Sequence, residues 1–266
     1  MSRARLTVAT CQFTVAADIG RNARQIVRLL GQAAERGADI AHFPEAALSG
    51  YAGASFDTWD GYDWAGLDRA MERVRAACRR HGIWAVIGTS HRPDAAGLPF
   101  NSVEIVDPRG GLVDRYDKRR CNDKERTRYR VGRRPVTFTV NGVRCGCLIC
   151  LDWSFPELFR GYADDGVDLV LLSAFSAGHD GDSLHTDVVP PLMQGHAFLN
   201  CLYISVANCA VPRQSFASFW VKRSGRFGAR CRRNASGLIV SAIPDDADKD
   251  AFYARVRRFR ARAELN

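Results

Sequence analysis

The stretch that decides the reading is "GCLICLDWSFPELFRGYADDG", residues 146–166. The run entering it, "VRCGCLIC" (143–150), is small and apolar and ends on Cys150. Asp152, Trp153, Ser154 and Phe155 follow, and Pro156 then opens a helical pattern, as proline does at a first helical position. A cysteine therefore stands where a buried strand gives out and a helix is about to begin. Packing is one reading, because free cysteine is among the most buried residue types. The other is a nucleophile on a strand-to-helix turn, exposed at a sheet edge with backbone N–H groups nearby to bind an oxyanion.

Outward from that turn, strands and helices alternate. "RLTVATCQF" (5–13) reads as a strand. The spacing of Ile26, Leu29, Leu30, Ala33 and Ala34 predicts a helix over 22–37 that closes on Gly37. "ADIAHFPE" (38–45) is a strand, 64–82 a helix and 83–90 a strand. Three strand-like runs follow at 101–107, 111–118 and, after a charged loop, 135–140. Beyond Cys150 the order is a helix from Pro156, a strand at 167–174, a helix near 188–200 and a strand at 201–208. Late strands at 216–221 and 237–243 precede an amphipathic helix at 253–266. Alternation in both halves, with strand-only runs between, puts helices outside and sheets inside, an α/β layered sandwich. No repeat or linker divides residues 1–266, so one domain is expected.

Bulk composition narrows the function classes. The chain has 266 residues, of which 46% are hydrophobic and 25% charged, values ordinary for a globular protein. No apolar run approaches the roughly 18 residues of a membrane span. The first residues carry no signal-peptide core, and a cytoplasmic location is expected. Nine cysteines in no framework spacing read as reduced thiols. Cys145, Cys147 and Cys150 have no histidine within 25 residues, and a strand turns them in different directions, so no metal is expected. The net charge of +9 concentrates late, in 228–234 and 253–266. With no nucleic-acid-binding motif, a solvated face or subunit contact is favoured over nucleic acid.

Three stations share a polar residue at the end of an apolar strand. They are Glu45 in "AHFPEAALSGY", Lys118 in "DRYDKRRC", and Cys150. A thiol is a weak nucleophile until it loses its proton. A carboxylate in a dry pocket can take that proton, and a buried lysine can stabilise both the carboxylate and a developing oxyanion.

Together these segments resemble the nitrilase superfamily of carbon–nitrogen hydrolases. "FPEAALSGY" is similar to its Pro-Glu…Gly-Tyr segment, "RYDKRRC" to its Tyr-x-Lys segment, and "CLICLDWSFPELFR" to its nucleophile segment. "HAFLN" (196–200) stands in place of Arg-Ala-x-Glu-Asn, and "SFWVKRSGR" and "ASGLIVSAI" resemble the closing strands. The resemblance implies a four-layer αββα sandwich, assembled as a homodimer or larger. It implies Glu45 as general base, Lys118 as catalytic lysine, Cys150 as nucleophile and the Leu151 N–H as oxyanion donor. Glu125, in "NDKERTRYRVG", matches a second glutamate that hydrogen-bonds the lysine. No cofactor is implied. Ser154, His196 and Leu199 depart from the family pattern, which puts local packing and substrate fit in question.

Leu151-Asp152 after the cysteine resembles the amidase and carbamoylase side, whereas nitrilases usually carry Trp-Glu. Hydrolysis of an amide or N-carbamoyl group in a small molecule is therefore expected, with nitrile hydrolysis and acyl transfer to an amine as alternatives. A glutamine-dependent synthetase would need a second domain for which 266 residues leave no room. Tyr51, Phe175 and His179, with His185, are candidate substrate contacts. The aromatic stretch 51–64 either walls a pocket or packs a helix start, and the arginines of 119–133 suggest an anionic substrate. Two rival readings are a catalytically silent binding protein and a basic protein that associates with nucleic acid.

Overall fold

A computed structural model describes residues 4–94, 97–177, 184–210 and 213–245, and Val256. The first half runs β1 (Ala4–Gln12), α1 (Ile19–Glu35), β2 (Ile40–His42), α2 (Trp64–His81), β3 (Trp84–His91), β4 (Phe100–Val106) and β5 (Leu112–Asp117). The short helix α3 (Asp123–Arg126) leads to β6 (Thr137–Val140) and β7 (Val143–Ile149). A 3-10 turn (Cys150–Ser154), α4 (Pro156–Asp164), β8 (Leu169–Ala174), α5 (Leu184–Asn200) and β9 (Tyr203–Asn208) follow. The described chain closes with β10 (Phe219–Val221), β11 (Phe227–Arg230) and β12 (Gly237–Pro244).

Two six-stranded sheets result, ordered β12-β1-β2-β3-β4-β5 and β11-β10-β9-β8-β7-β6. Each has a parallel centre, β1-β2-β3 in one and β7-β8-β9 in the other, with antiparallel strands added outside. Strand alternation assigns the faces. Ala9 and Cys11 of β1 turn outward to the buried Ile26, Leu29 and Leu30 of α1, and α2 adds Val74 and Ala77 to the same layer. Leu6 and Val8 turn inward, where Leu169 and Leu171 of the other sheet share their cluster, on the same face of β8 as Ser173. Phe159 of α4 and Met193 of α5 close the far side. The architecture is the four-layer αββα sandwich that the resemblance implies.

Local chemistry fixes the helix ends. Asp18 caps α1 by accepting from Arg21 N at 2.8 Å, and Asp63 caps α2 by accepting from Gly66 N at 2.7 Å. These caps set both starts, of which the sequence pattern places that of α2 at Trp64 and that of α1 late, at Asn22 rather than Ile19. The chain pattern missed α3 inside the charged loop and β11 after the turn at Gly225. The helix expected near 188–200 begins earlier, at Leu184, and carries Pro190 and Pro191 within it. The late strand expected at 216–221 is confined to Phe219–Val221. Ser218 N is instead drawn to Gln12 Oε1 at 2.7 Å. The helix expected at 253–266 falls outside the described residues, Val256 excepted.

Gly88 on β3 is required by a crossing. A Cβ built there would lie 2.0 Å from the Pro44 carbonyl oxygen and 2.7 Å from Ala46 N. The backbone on either side of Glu45 therefore passes directly over β3. Gly88→Ala is expected to lower the unfolding midpoint, by about 1–3 kcal/mol of stability, and to slow alkylation of Cys150 by displacing Glu45. Denaturant unfolding and intact-mass alkylation rates measure the two effects.

Candidate active site

Glu45, Lys118, Cys150 and Phe175 each follow the carboxyl end of a strand: β2, β5, β7 and β8 respectively. Because β1–β3 and β7–β9 run parallel within their sheets, the loops after β2, β7 and β8 can gather at strand ends. Glu45 N donates to Ala174 O at 3.3 Å, and Phe175 N donates to Glu45 Oε2 at 2.9 Å, so the two sheets are stitched together there. Glu45 Oε1 accepts from Lys118 Nζ at 2.9 Å and from Asn101 Nδ2 at 2.6 Å. Lys118 Nζ also donates to Glu125 Oε1, which accepts from the Tyr51 hydroxyl at 2.8 Å. Glu45 and Lys118 are each 1% exposed and Glu125 5%.

Each carboxylate is held from its own direction. Glu125 belongs to a capping box: Asn122 Oδ1 accepts Glu125 N at 2.9 Å, and Glu125 Oε2 accepts Asn122 N at 3.0 Å. That leaves its Oε1 for Lys118 and Tyr51. The Lys118 backbone is fixed on both sides, its N donating to Asn101 O and its carbonyl accepting from Gly132 N, each at 2.8 Å.

Cys150 opens the 3-10 turn with φ 43°, in the left-handed region that a cysteine rarely occupies, and is half-buried. Asp152 holds the turn. Its Oδ2 accepts from Tyr116 Oη at 2.7 Å and Ile149 N at 2.9 Å, and its Oδ1 accepts from Arg120 N at 2.9 Å. The Leu151 N–H lies in the first turn of this helix, where backbone donors have no partner within the helix.

Electrostatics follow from two carboxylates around one ammonium. Burial acts to lower the Lys118 pKa, but Glu45 first and then Cys150, Tyr51 and Glu125 carry it well above the ordinary lysine value. Burial, then the charge of Glu45, pushes the Cys150 thiol well up, against the lowering effect of Lys118. The resting thiol is therefore protonated at neutral pH. Burial raises Asp152 to about 6 despite its three donors.

The other sequence candidates divide. Tyr51 reaches the cluster through Glu125, and its ring stacks on Phe175 with centroids 5.0 Å apart. The rest of the 51–64 aromatics pack on one another: Trp59 lies 4.9 Å from Phe56, 5.1 Å from Trp64 and 5.6 Å from Tyr129. His185 Nδ1 lies 3.2 Å from Ser176 Oγ, and its ring meets the edge of Trp153. His179 lies outside the described residues. Four of the six guanidinium groups of 119–133 engage other partners: Arg120 meets Glu157, Arg126 the Cys121 carbonyl, Arg128 the Lys124 carbonyl and Arg130 Asp94.

Of the three departures, His196 has a defined place, stacked on Phe159 at 3.9 Å with Nε2 3.2 Å from the Trp153 carbonyl. Ser154 and Leu199 are exposed. Sequence reading missed Asn101, brought in by cross-strand pairing that leaves no local signal, and it saw Tyr116 only as the tyrosine of the Tyr-x-Lys segment, without its bond to Asp152. It also missed α3, which the Asn122-x-x-Glu125 pattern did encode.

The carbon-nitrogen hydrolase family model matches residues 7–250, and the chain belongs to that family. A glutamine-dependent NAD(+) synthetase of Xylella fastidiosa is 36% identical over 193 residues, covering 70% of this chain and 34% of the synthetase. The chain thus spans about a third of that relative's length. An (R)-stereoselective amidase of Pseudomonas sp is 30% identical over 135 residues, 51% of this chain and 47% of the amidase. The solved structure of an amidase from Nesterenkonia sp. shares the fold, with a TM-score of 0.80 at 24% identity over 97% of this chain and 98% of that one.

Glu45→Gln is expected to slow iodoacetamide alkylation of Cys150 at pH 7–8, because no carboxylate then stands ready to take the thiol proton, a loss that outweighs the lower thiol pKa left when the Glu45 charge is removed. The slow rate should recover above pH 9 as hydroxide removes the proton. A flat profile identical to wild type would contradict the pairing.

Proposed function

We propose that this protein hydrolyses an amide or N-carbamoyl C–N bond of a small molecule through a Cys150 thioester, releasing ammonia or an amine. The observation that carries this reading is the buried Lys118 ammonium, bonded to both Glu45 and Glu125 at the strand ends where Cys150 opens its turn. A buried charge trio of this kind is costly unless further donors support it, and a carboxylate with an ammonium at the strand end that carries a thiol supplies what general-base attack and oxyanion binding need. The family membership gives the reaction class, and the Leu151-Asp152 pair favours the amidase side.

In the proposed reaction Glu45 takes the Cys150 proton as Sγ attacks the carbonyl carbon. The oxyanion is held by Lys118 Nζ and the Leu151 N–H. Glu45 returns the proton to the leaving nitrogen, the C–N bond breaks, and the acyl group remains on sulfur. Water then gives a proton to Glu45 and attacks the thioester carbonyl. Collapse breaks the C–S bond, the sulfur recovers its proton, and the acid leaves. Two acyl transfers replace one direct attack of water on a resonance-stabilised amide. Glu125 orients Lys118, and Tyr51 and Phe175 wall the acyl site. No residue of this scheme needs a cofactor.

A second reading has its own support. The 36% identity to a glutamine-dependent synthetase favours the side-chain amide of glutamine as the bond cleaved, with ammonia as the useful product. The chemistry at Cys150 is the same.

For assembly, we propose one domain that pairs with a second copy through α5. Val188 and Leu199 are exposed there, and with α4 they border an apolar groove of about 790 Å³. Glu157, Arg160 and Asp187 line the same groove, so its rim carries both signs of charge, and a two-fold contact meets the same patch on each copy. Leu199→Glu is expected to halve the mass seen by light scattering, and an unchanged mass would refute this face.

Ammonia release is measured from primary amides, glutamine, N-carbamoyl amino acids, N-carbamoyl amines and nitriles. Wild type is expected to turn over an amide or carbamoyl compound, and Cys150→Ala to lose at least about 10³-fold. Release that survives Cys150→Ala would overturn the mechanism, and nitrile turnover alone would overturn the branch.

A further inference from the structure

The space between the sheets is apolar along most of its length but becomes polar toward the strand ends that carry the site. At its centre His42, the last residue of β2, is fully buried. Its Nδ1 lies 2.9 Å from Ser205 Oγ of β9 and its Nε2 3.0 Å from Ser173 Oγ of β8. Ser205 Oγ in turn lies 2.7 Å from Thr10 Oγ1 of β1, and Ser173 Oγ lies 2.9 Å from the Phe43 carbonyl. All four side chains are fully buried.

The direction of every hydrogen in this chain can be deduced. A carbonyl only accepts, so the single Ser173 hydrogen goes to Phe43 O. Ser173 Oγ must then accept from His42, which puts the ring proton on Nε2. In the neutral ring Nδ1 is an acceptor, so Ser205 donates to it, and Thr10 donates to Ser205. The chain runs Thr10, Ser205, His42, Ser173, Phe43 O, with one donor for each acceptor. A doubly protonated ring would clash with the Ser205 arrangement, and burial holds the His42 pKa down at about 3.

We propose that His42 is a positioning residue for the reaction assigned above. Through Ser173 it locks the end of β8 onto the end of β2. Two residues beyond these contacts stand Phe175 and Glu45, joined by the Phe175 N–H to Oε2 bond and the Glu45 N–H to Ala174 O bond. His42 thus sets the spacing between the sheets beside Glu45, whose charge acts on Cys150, without touching substrate. This inference rests on the proposed role of Glu45 at Cys150.

The two ring nitrogens can be tested separately. His42→Gln places an N–H donor near the position of Nε2 and keeps the Ser173 link, whereas His42→Asn keeps only the acceptor near Nδ1. Each variant, with Ser173→Ala and the His42→Asn/Ser173→Ala double variant, is assayed for the rate of Cys150 alkylation by iodoacetamide, read by intact mass. Where the amide panel has given a substrate, kcat and KM are measured too. Expected are about tenfold slower alkylation and kcat for His42→Asn and Ser173→Ala, with KM within about twofold of wild type. The double variant should be no worse than either single one, and His42→Gln should stay within about threefold of wild type. Full rates in folded His42→Asn and Ser173→Ala would overturn the proposal, as would additive losses in the double variant or no advantage of Gln over Asn. Should His42→Asn not fold, Ser173→Ala against wild type decides. If wild type shows no Cys150-dependent turnover, the reaction assignment fails, while the alkylation rates still report on the positioning.

Discussion

The site depends on one ammonium held between two carboxylates away from water. Lys118 is 1% exposed, as is Glu45. Removing one member of such a group leaves a buried charge uncompensated, at a cost of about 3–5 kcal/mol. The fold supplies what makes the group tolerable. Glu45 gains donors from Asn101 and from the Phe175 backbone, and Glu125 gains them from Tyr51 and the Asn122 backbone. These donors come from β4, the end of β8, the loop after β2 and the start of α3. The cluster therefore forms only when both sheets and the charged loop are in place.

The same count of charges explains the resting state of the thiol. Two carboxylates and one ammonium already leave a net negative charge, so a thiolate beside them would add a second in a low-dielectric space. Cys150 accordingly keeps its proton. In the proposed reaction the proton reaches Glu45 only as sulfur bonds to carbon, when the negative charge moves to the substrate oxygen. The total charge of the site is the same before and after, and Lys118 turns from a carboxylate partner to an oxyanion partner. Activation by a pre-formed thiolate, as beside a histidinium, would require the opposite sign of surroundings.

How far the sequence disclosed this depends on the range of the interaction. Ile26, Leu29, Leu30 and Ala33 announce α1 because helical spacing is local, and Pro156 announces α4 for the same reason. Glu45, Lys118 and Cys150 stand out because each interrupts an apolar strand at its end. Asn122 and Glu125 form a capping box three residues apart, legible but hidden by the surrounding charge. Asn101 carries no such mark, and Tyr116 is marked only as the tyrosine of the Tyr-x-Lys segment, with no sign of its partner. They reach Glu45 and Asp152 across 56 and 36 residues, through sheet register that one sequence does not reveal. His42 reaches Ser173 and Ser205 across 131 and 163 residues. Nothing near it in the chain distinguishes it from an ordinary strand histidine.

The two glutamates are not interchangeable, and their supports show why. Glu125 is tied by its own short helix: one oxygen caps Asn122, and the other is shared by Lys118 and Tyr51. Its position is local and independent of the inter-sheet gap. Glu45 is tied by groups from both sheets, and its charge acts on Cys150 more strongly than that of Glu125. A carboxylate that must gain and lose a proton at sulfur needs that closeness, while one that only orients Lys118 does not. Glu45 is therefore the base of the proposed reaction and Glu125 the anchor. The geometry of the base is then only as good as the register between β2 and β8, which gives a buried chain of hydroxyls and one imidazole between the sheets a chemical purpose beyond filling space.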